Sequence, residues 1–182
     1  MRSEDWASQA LAHALSAQPT LGSGRLICID GLAGAGKTTL AASLGHLTGA
    51  PVIHADELLG GWGALPALGA TIDAVLRPLA DGRRSSWRRW DWHASQWAET
   101  HLVEPAPLLV IDGVGCGASA YDDLITTLVW IEAAPDVRLA RGLARDGDHM
   151  RAEWEQWLDD EAALHVRERT RERADLVYST SA

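Results

Sequence analysis

At 182 residues, with 47% apolar and 23% charged positions, the chain has the length and composition of one globular domain with a full hydrophobic core. A net charge of −9 and a pI near 5.1 argue against a nucleic-acid surface as its main partner, and no apolar run approaches the roughly 18 residues of a membrane span. Cys28 and Cys116 form no metal-type pair, which points to a reduced, cytoplasmic setting.

The segment Met1 to Ala17 mixes Glu4 and Asp5 with Trp6, Leu11 and Leu15, and predicts an amphipathic N-terminal helix within residues 1–20 rather than a signal peptide. Arg25 to Asp30 is a short apolar run that predicts a buried strand. It leads into Gly31-Leu-Ala-Gly-Ala-Gly36-Lys37-Thr38, a full match to the phosphate-binding pattern GxxxxGK[ST]. Lys37 is the only lysine in the chain; the other fifteen basic positions are arginine. A compact ammonium can be held between two phosphates, whereas a wide planar guanidinium cannot. The backbone of Gly31, Ala33, Gly34, Ala35 and Gly36, continued by the amides of Lys37, Thr38 and Thr39, is expected to turn inward around an anion at a helix N-terminus. Thr38 would offer its hydroxyl to Mg²⁺. The expected ligand is a nucleoside triphosphate, with ATP as the default.

A helix is expected from about 37 to 47, stopped by Gly49 and Pro51, and then a short strand at Val52-Ile53 ending in Ala55-Asp56. Residues 57–70 carry Gly60, Gly61, Gly63, Pro66 and Gly69 and predict a mobile loop. A helix near 71–80 and a stretch rich in Trp and Arg at 85–98 follow. Further strands are expected at 108–112, 128–131 and 176–178, with helices at about 136–146 and 151–172 between them. Strands alternating with helices predict an α/β domain over residues 1–182: a parallel five-stranded sheet with helices on both faces. Ligands bind such sheets at the carboxyl ends of the strands, where Asp56, Asp112 and the glycine-rich loop converge.

Two absences narrow the class. A guanine-reading Asn-Lys-x-Asp motif needs a second lysine, and Asp112 is followed by Gly113 instead of the glutamate that polarises water in motor ATPases. Arg138, Arg141 and Arg145 stand at i, i+3 and i+7, one basic stripe on a helix that could meet the β- and γ-phosphates as a lid. Gly142 and Gly147 would give that lid local freedom.

The loop, the strand-end Ala55-Asp56, the Arg-Trp-Asp91 segment, the strand into Asp112-Gly113 and the arginine helix occur in the order seen in uridine kinases. Over about residues 24–178 the chain resembles the uridine kinase-like branch of the P-loop nucleoside and nucleotide kinases. It carries Ala55-Asp56 where uridine kinases usually have Asp-Asp, Asp112-Gly113 for Glu-Gly, and Arg141-Gly142 for paired arginines. The resemblance implies a small-molecule kinase using ATP and Mg²⁺, with residues 57–100 as an acceptor-side insertion and 136–172 as lid and packing helices. Lys37 would bridge the phosphates, Thr38 and Asp112 would hold Mg²⁺, Asp56 would serve as base, and Arg141 and Arg145 would stabilise developing charge. Asp91, with Arg89 and Trp92 beside it, would contact acceptor hydroxyls, and Trp62, Trp90 and Trp92 could stack an aromatic acceptor or fill the core. A nucleoside is the leading acceptor. A sugar, vitamin or antibiotic hydroxyl, or a regulatory nucleotide-binding module without acceptor, stays open, as does a homo-oligomer. No nucleic acid or membrane is expected as partner.

Overall fold

Strands that are apolar on both faces form the spine of the chain, whose computed structural model describes residues 3–180. Helix α1 (Ser3–Ser16) leads to β1 (Arg25–Gly31), α2 (Lys37–Thr48) and β2 (Val52–His54). The first two residues of the expected N-terminal helix lie outside the described residues. After β2 come two 3-10 turns, Ala55–Leu58 and Trp62–Ala67, then α3 (Leu68–Ala80) and a hairpin of β3 (Ser85–Asp91) and β4 (Gln96–Val103). The chain continues with β5 (Leu108–Asp112), β6 (Thr127–Glu132), α4 (Pro135–Asp146), α5 (Arg151–Glu168), α6 (Thr170–Arg173) and β7 (Leu176–Ser179).

The main sheet has the order β2-β5-β1-β6-β7 and is parallel throughout. The inner strands β1, β5 and β6 alternate between two cores. Ile27 and Ile29 of β1 join Val110, Val129 and Ile131 under α1 and α2. Leu26 and Cys28 join Leu109, Ile111 and Leu128 under α3 and α5. The expected five parallel strands and two helical layers are therefore present. No helix among the described residues is long and apolar enough to cross a membrane.

Two expectations fail. Residues 57–70 do not form an open mobile loop: Leu58, Leu59, Leu65 and Leu68 are buried in the core that α3 and α5 share, and these four contacts hold the glycine-rich backbone in tight turns. Gly142 is not a hinge either. It lies inside α4, where a Cβ would meet the Trp154 ring at 2.5 Å, so its role is close packing of α4 on α5. Gly147, by contrast, ends α4 with φ 94° and carries the cap bond to Leu143 O.

In an open helical position, glycine to alanine stabilises by roughly 0.5–1 kcal/mol. Here the added methyl must displace a buried indole. We expect Gly142→Ala to destabilise the protein by about 1–3 kcal/mol in denaturant unfolding, the cost of overpacking, and a gain in stability would remove this account of the α4–α5 contact.

Candidate active site

The chain leaves β1 through backbone that only glycine adopts. At Gly31, φ is 139° and a Cβ would stand 2.0 Å from Ile131 O; at Gly34, φ is 77° and a Cβ would stand 2.6 Å from Arg138 O. This tight course brings the loop over the ends of β1 and β6 and feeds it into the first turn of α2, a helix start of the kind whose backbone amides suit an anion. Lys37, the first residue of α2, is buried, and its Nζ donates to Gly31 O at 2.8 Å and Leu32 O at 3.0 Å. Burial lowers its pKa, opposed chiefly by the charge of Asp30 and then by Glu161. The Lys37 amine thus lies inside the loop, bonded to two backbone carbonyls.

Thr38 Oγ1 donates to Asp112 Oδ2 at 2.9 Å, joining the start of α2 to the end of β5. A hydroxyl and a carboxylate so paired fit Mg²⁺, which is usually held by one or two protein oxygens together with substrate phosphates and water. Among the described residues, no group of three or more His, Cys, Asp or Glu forms a self-sufficient metal cage, so the donor set suits a metal that arrives with nucleotide. The other oxygen, Asp112 Oδ1, accepts from His54 Nδ1 at 2.6 Å, and this bond raises the His54 pKa to about 8.

Asp56 sits in the 3-10 turn directly after β2 and is exposed. The Trp92 indole donates to its backbone oxygen at 3.1 Å, and Trp62 meets Trp92 edge-on at 5.5 Å. Asp56, Trp62 and Trp92 are therefore brought together. Arg89 and Asp91 are engaged within the hairpin. Arg89 donates to Glu99 at 2.7 Å, while Asp91 Oδ1 accepts the amides of His93 and Ala94 and caps the β3–β4 turn.

The arginine stripe divides by depth. Arg138 is buried and paired with Glu161 at 2.7 Å. Arg141 is exposed and donates to Gly34 O at 3.1 Å and to Thr180 Oγ1 at 3.0 Å, so it already lies on the loop. Arg145 holds its neighbour Asp146 at 2.7 Å, and its guanidinium lies 5.7 Å from the centre of the Trp154 ring.

Three participants escape the sequence reading. Asp30 accepts from the amides of Gly31, Gly115 and Gly117 beneath the loop. Glu161 takes the Ala33 amide at 2.7 Å, a donor that the loop pattern assigns to phosphate. Thr180 donates to Ala35 O at 2.8 Å. Glu161 carries a legible signal: an acid in the same helical stripe as Trp154, Trp157 and Leu164 requires a partner.

No family model and no curated protein matches the sequence. Solved structures do match. A possible uridine kinase from Bacillus stearothermophilus is 19% identical, with 97% of each chain covered and a TM-score of 0.67. A candidate fructose transport system kinase from a Silicibacter species is 21% identical, covering 97% of this chain and 98% of the other, with a TM-score of 0.68. An uncharacterized protein from Eubacterium ventriosum is 14% identical over 86% of this chain and 88% of the other, at a TM-score of 0.54. The chain has the P-loop kinase fold.

The His54–Asp112 pair gives a pH signature. The folded pKa of about 8 lies above the reference 6.5, so the stabilising charge on His54 is fully present below pH 6.5 and is lost as pH rises through 8. We expect the thermal midpoint, measured without Mg²⁺ or nucleotide, to fall by about 1–3 °C across that window, the modest size reflecting a half-exposed imidazole. His54→Gln should lack this component, and equal slopes for the two proteins would dismiss the pair as a stabilising contact.

Proposed function

We propose that the protein is an ATP-dependent kinase that transfers the γ-phosphate to a hydroxyl of a small molecule, with a nucleoside as the leading acceptor class. The observation that carries the reading is the alignment of Lys37, the Thr38–Asp112 pair and Asp56 along one sheet edge, at the ends of β1, β5 and β2. The P-loop kinase architecture supports it.

Each residue has a distinct task. The loop amides and Lys37 bind and orient the polyphosphate, with Lys37 exchanging its two carbonyl partners for β- and γ-phosphate oxygens. Thr38 and Asp112 would hold Mg²⁺, which supplies neutralisation of phosphate charge when bound. Asp56 accepts the proton of the acceptor hydroxyl, as an exposed carboxylate beside an aromatic wall can do. Arg141 turns from Gly34 O and Thr180 toward the transferring group.

Trp62 and Trp92 beside Asp56 favour a flat-ringed acceptor, which large indoles contact well. A sugar hydroxyl is the second reading, favoured by the name of the Silicibacter neighbour. An ADP-release screen across nucleosides, sugars, vitamins and aminoglycosides, with Lys37→Ala as blank, separates the two. We expect about tenfold stimulation by one class, and stimulation by none would leave a nucleotide-binding module.

With the acceptor identified, Asp56→Asn should lower kcat by about 10²–10⁴ with ATP affinity nearly unchanged. Arg141→Ala should cost about 10²–10³, mostly in kcat. Full turnover by Asp56→Asn would strike Asp56 from the role of base.

A further inference from the structure

The phosphate loop is already gripped by an anion that the protein itself supplies. Glu161 is fully buried; Oε2 accepts from the Ala33 amide at 2.7 Å and Oε1 from Arg138 Nη1 at 2.7 Å. Arg138 Nη1 also donates to Ala33 O at 3.3 Å, so the pair holds both the amide and the carbonyl of one loop residue. Burial pushes the Glu161 carboxyl up, while the Ala33 amide and the charges of Lys37 and Arg138 favour its ionised form. A buried ion pair is weak evidence for stability, because desolvation offsets most of the attraction. What the partners are attached to is more informative.

Arg138 belongs to α4, the helix of Arg141 and Arg145. Glu161 belongs to α5 and shares a stripe with Trp154 and Trp157, at i, i+3 and i+7. Trp154 Nε1 donates to Asp146 at 2.9 Å, holding the far end of α4. Trp157 meets Trp62 edge-on at 5.7 Å; Trp62 meets Trp92, whose indole holds the Asp56 backbone. One helical face therefore touches the end of the arginine helix, the aromatic wall beside Asp56 and the phosphate loop.

We infer that Glu161 is a positioning residue for phosphoryl transfer, setting the phosphate loop from the same face of α5 that carries the acceptor-side tryptophans, so that a change at that wall alters nucleotide affinity. The inference rests on the ATP-binding reading above. Close packing along α5 transmits the change: Trp157 and Glu161 are one turn apart on a rigid helix, and a displacement at one is carried to the other.

The test is a double-mutant cycle on Mg·ATP affinity, measured by titration calorimetry without acceptor. Trp62→Ala should weaken Mg·ATP about fivefold in the wild-type background and less than about twofold in Glu161→Leu, the difference being the coupling. Since Glu161→Leu strands a buried charge on Arg138, the same cycle is run in Glu161→Leu/Arg138→Met, which decides the matter if the single variant fails to fold. Glu161→Gln/Arg138→Met restores an oxygen for the Ala33 amide and should restore the Trp62 effect, a rescue that general loosening of the core would not give. A Trp62→Ala effect that is absent in wild type, or of equal size in every background, overturns the positioning role and leaves nucleotide binding intact. No heat on adding Mg·ATP to the wild type overturns the ATP reading itself, and this inference with it.

Discussion

Asp30 is buried at the end of β1 with three backbone amides on its carboxylate: Gly31 at 2.6 Å and Gly115 at 2.8 Å on Oδ1, and Gly117 at 2.9 Å on Oδ2. Hydrogen bonds to a charged group contribute about 1.5–3 kcal/mol each, so three of them match a desolvation cost of several kcal/mol. What they secure is geometry. The phosphate loop and the segment after β5 hang from one carboxylate, which fixes Lys37 and Asp112 relative to each other. Asp30 also supplies the largest attraction opposing the burial that lowers the Lys37 pKa. The cation of the site is kept in place by an anion buried below it.

From that anchor the rest of the edge follows. The loop can bend over β6 because Gly31 and Gly34 bring no side chain, and α2 then begins with its amides toward the site. Thr38 and His54 meet on the two oxygens of Asp112, one from α2 and one from β2. The polar groups are thus held in a fixed mutual orientation, and on the proposed kinase reading that is the condition under which electrostatic stabilisation would cost least reorganisation.

The phosphate loop was legible because its chemistry is local: glycines, lysine and threonine act through backbone conformation and one helix terminus. The inner strands β1, β5 and β6 were legible because burial on both faces writes unbroken apolar runs such as Leu108 to Ile111, and the edge strands β2 and β7 showed as shorter apolar runs. Strand β4 was not, since Gln96 to Leu102 faces largely outward and is held by pairing with β3 rather than by an apolar pattern. The packing of residues 57–70 was hidden for a related reason: glycine and proline announce turns, but only tertiary contact decides whether turns are covered. Asp30 and Glu161 were missed because each acts on amides distant in sequence, Gly115 and Gly117 for one and Ala33 for the other.

The single lysine acquires a physical reason from its neighbours. Two nearby arginines fasten separate elements together: Arg138 Nη1 spans Glu161 and Ala33 O, and the Arg141 fork spans Gly34 O and Thr180. Lys37 instead points one ammonium at two adjacent carbonyls inside the loop, a space that suits a point charge and not a planar fork. The same comparison ranks the arginines for a role toward phosphate. Arg138 is buried in its ion pair, and Arg145 would have to leave the carboxylate of Asp146, an exchange of one anion for another. Arg141 gives up only neutral oxygens, and a phosphate oxygen is the stronger acceptor. On the proposed kinase reading, a move of Arg141 toward a bound polyphosphate would therefore be downhill, while Arg138 would stay behind to hold the loop that receives it.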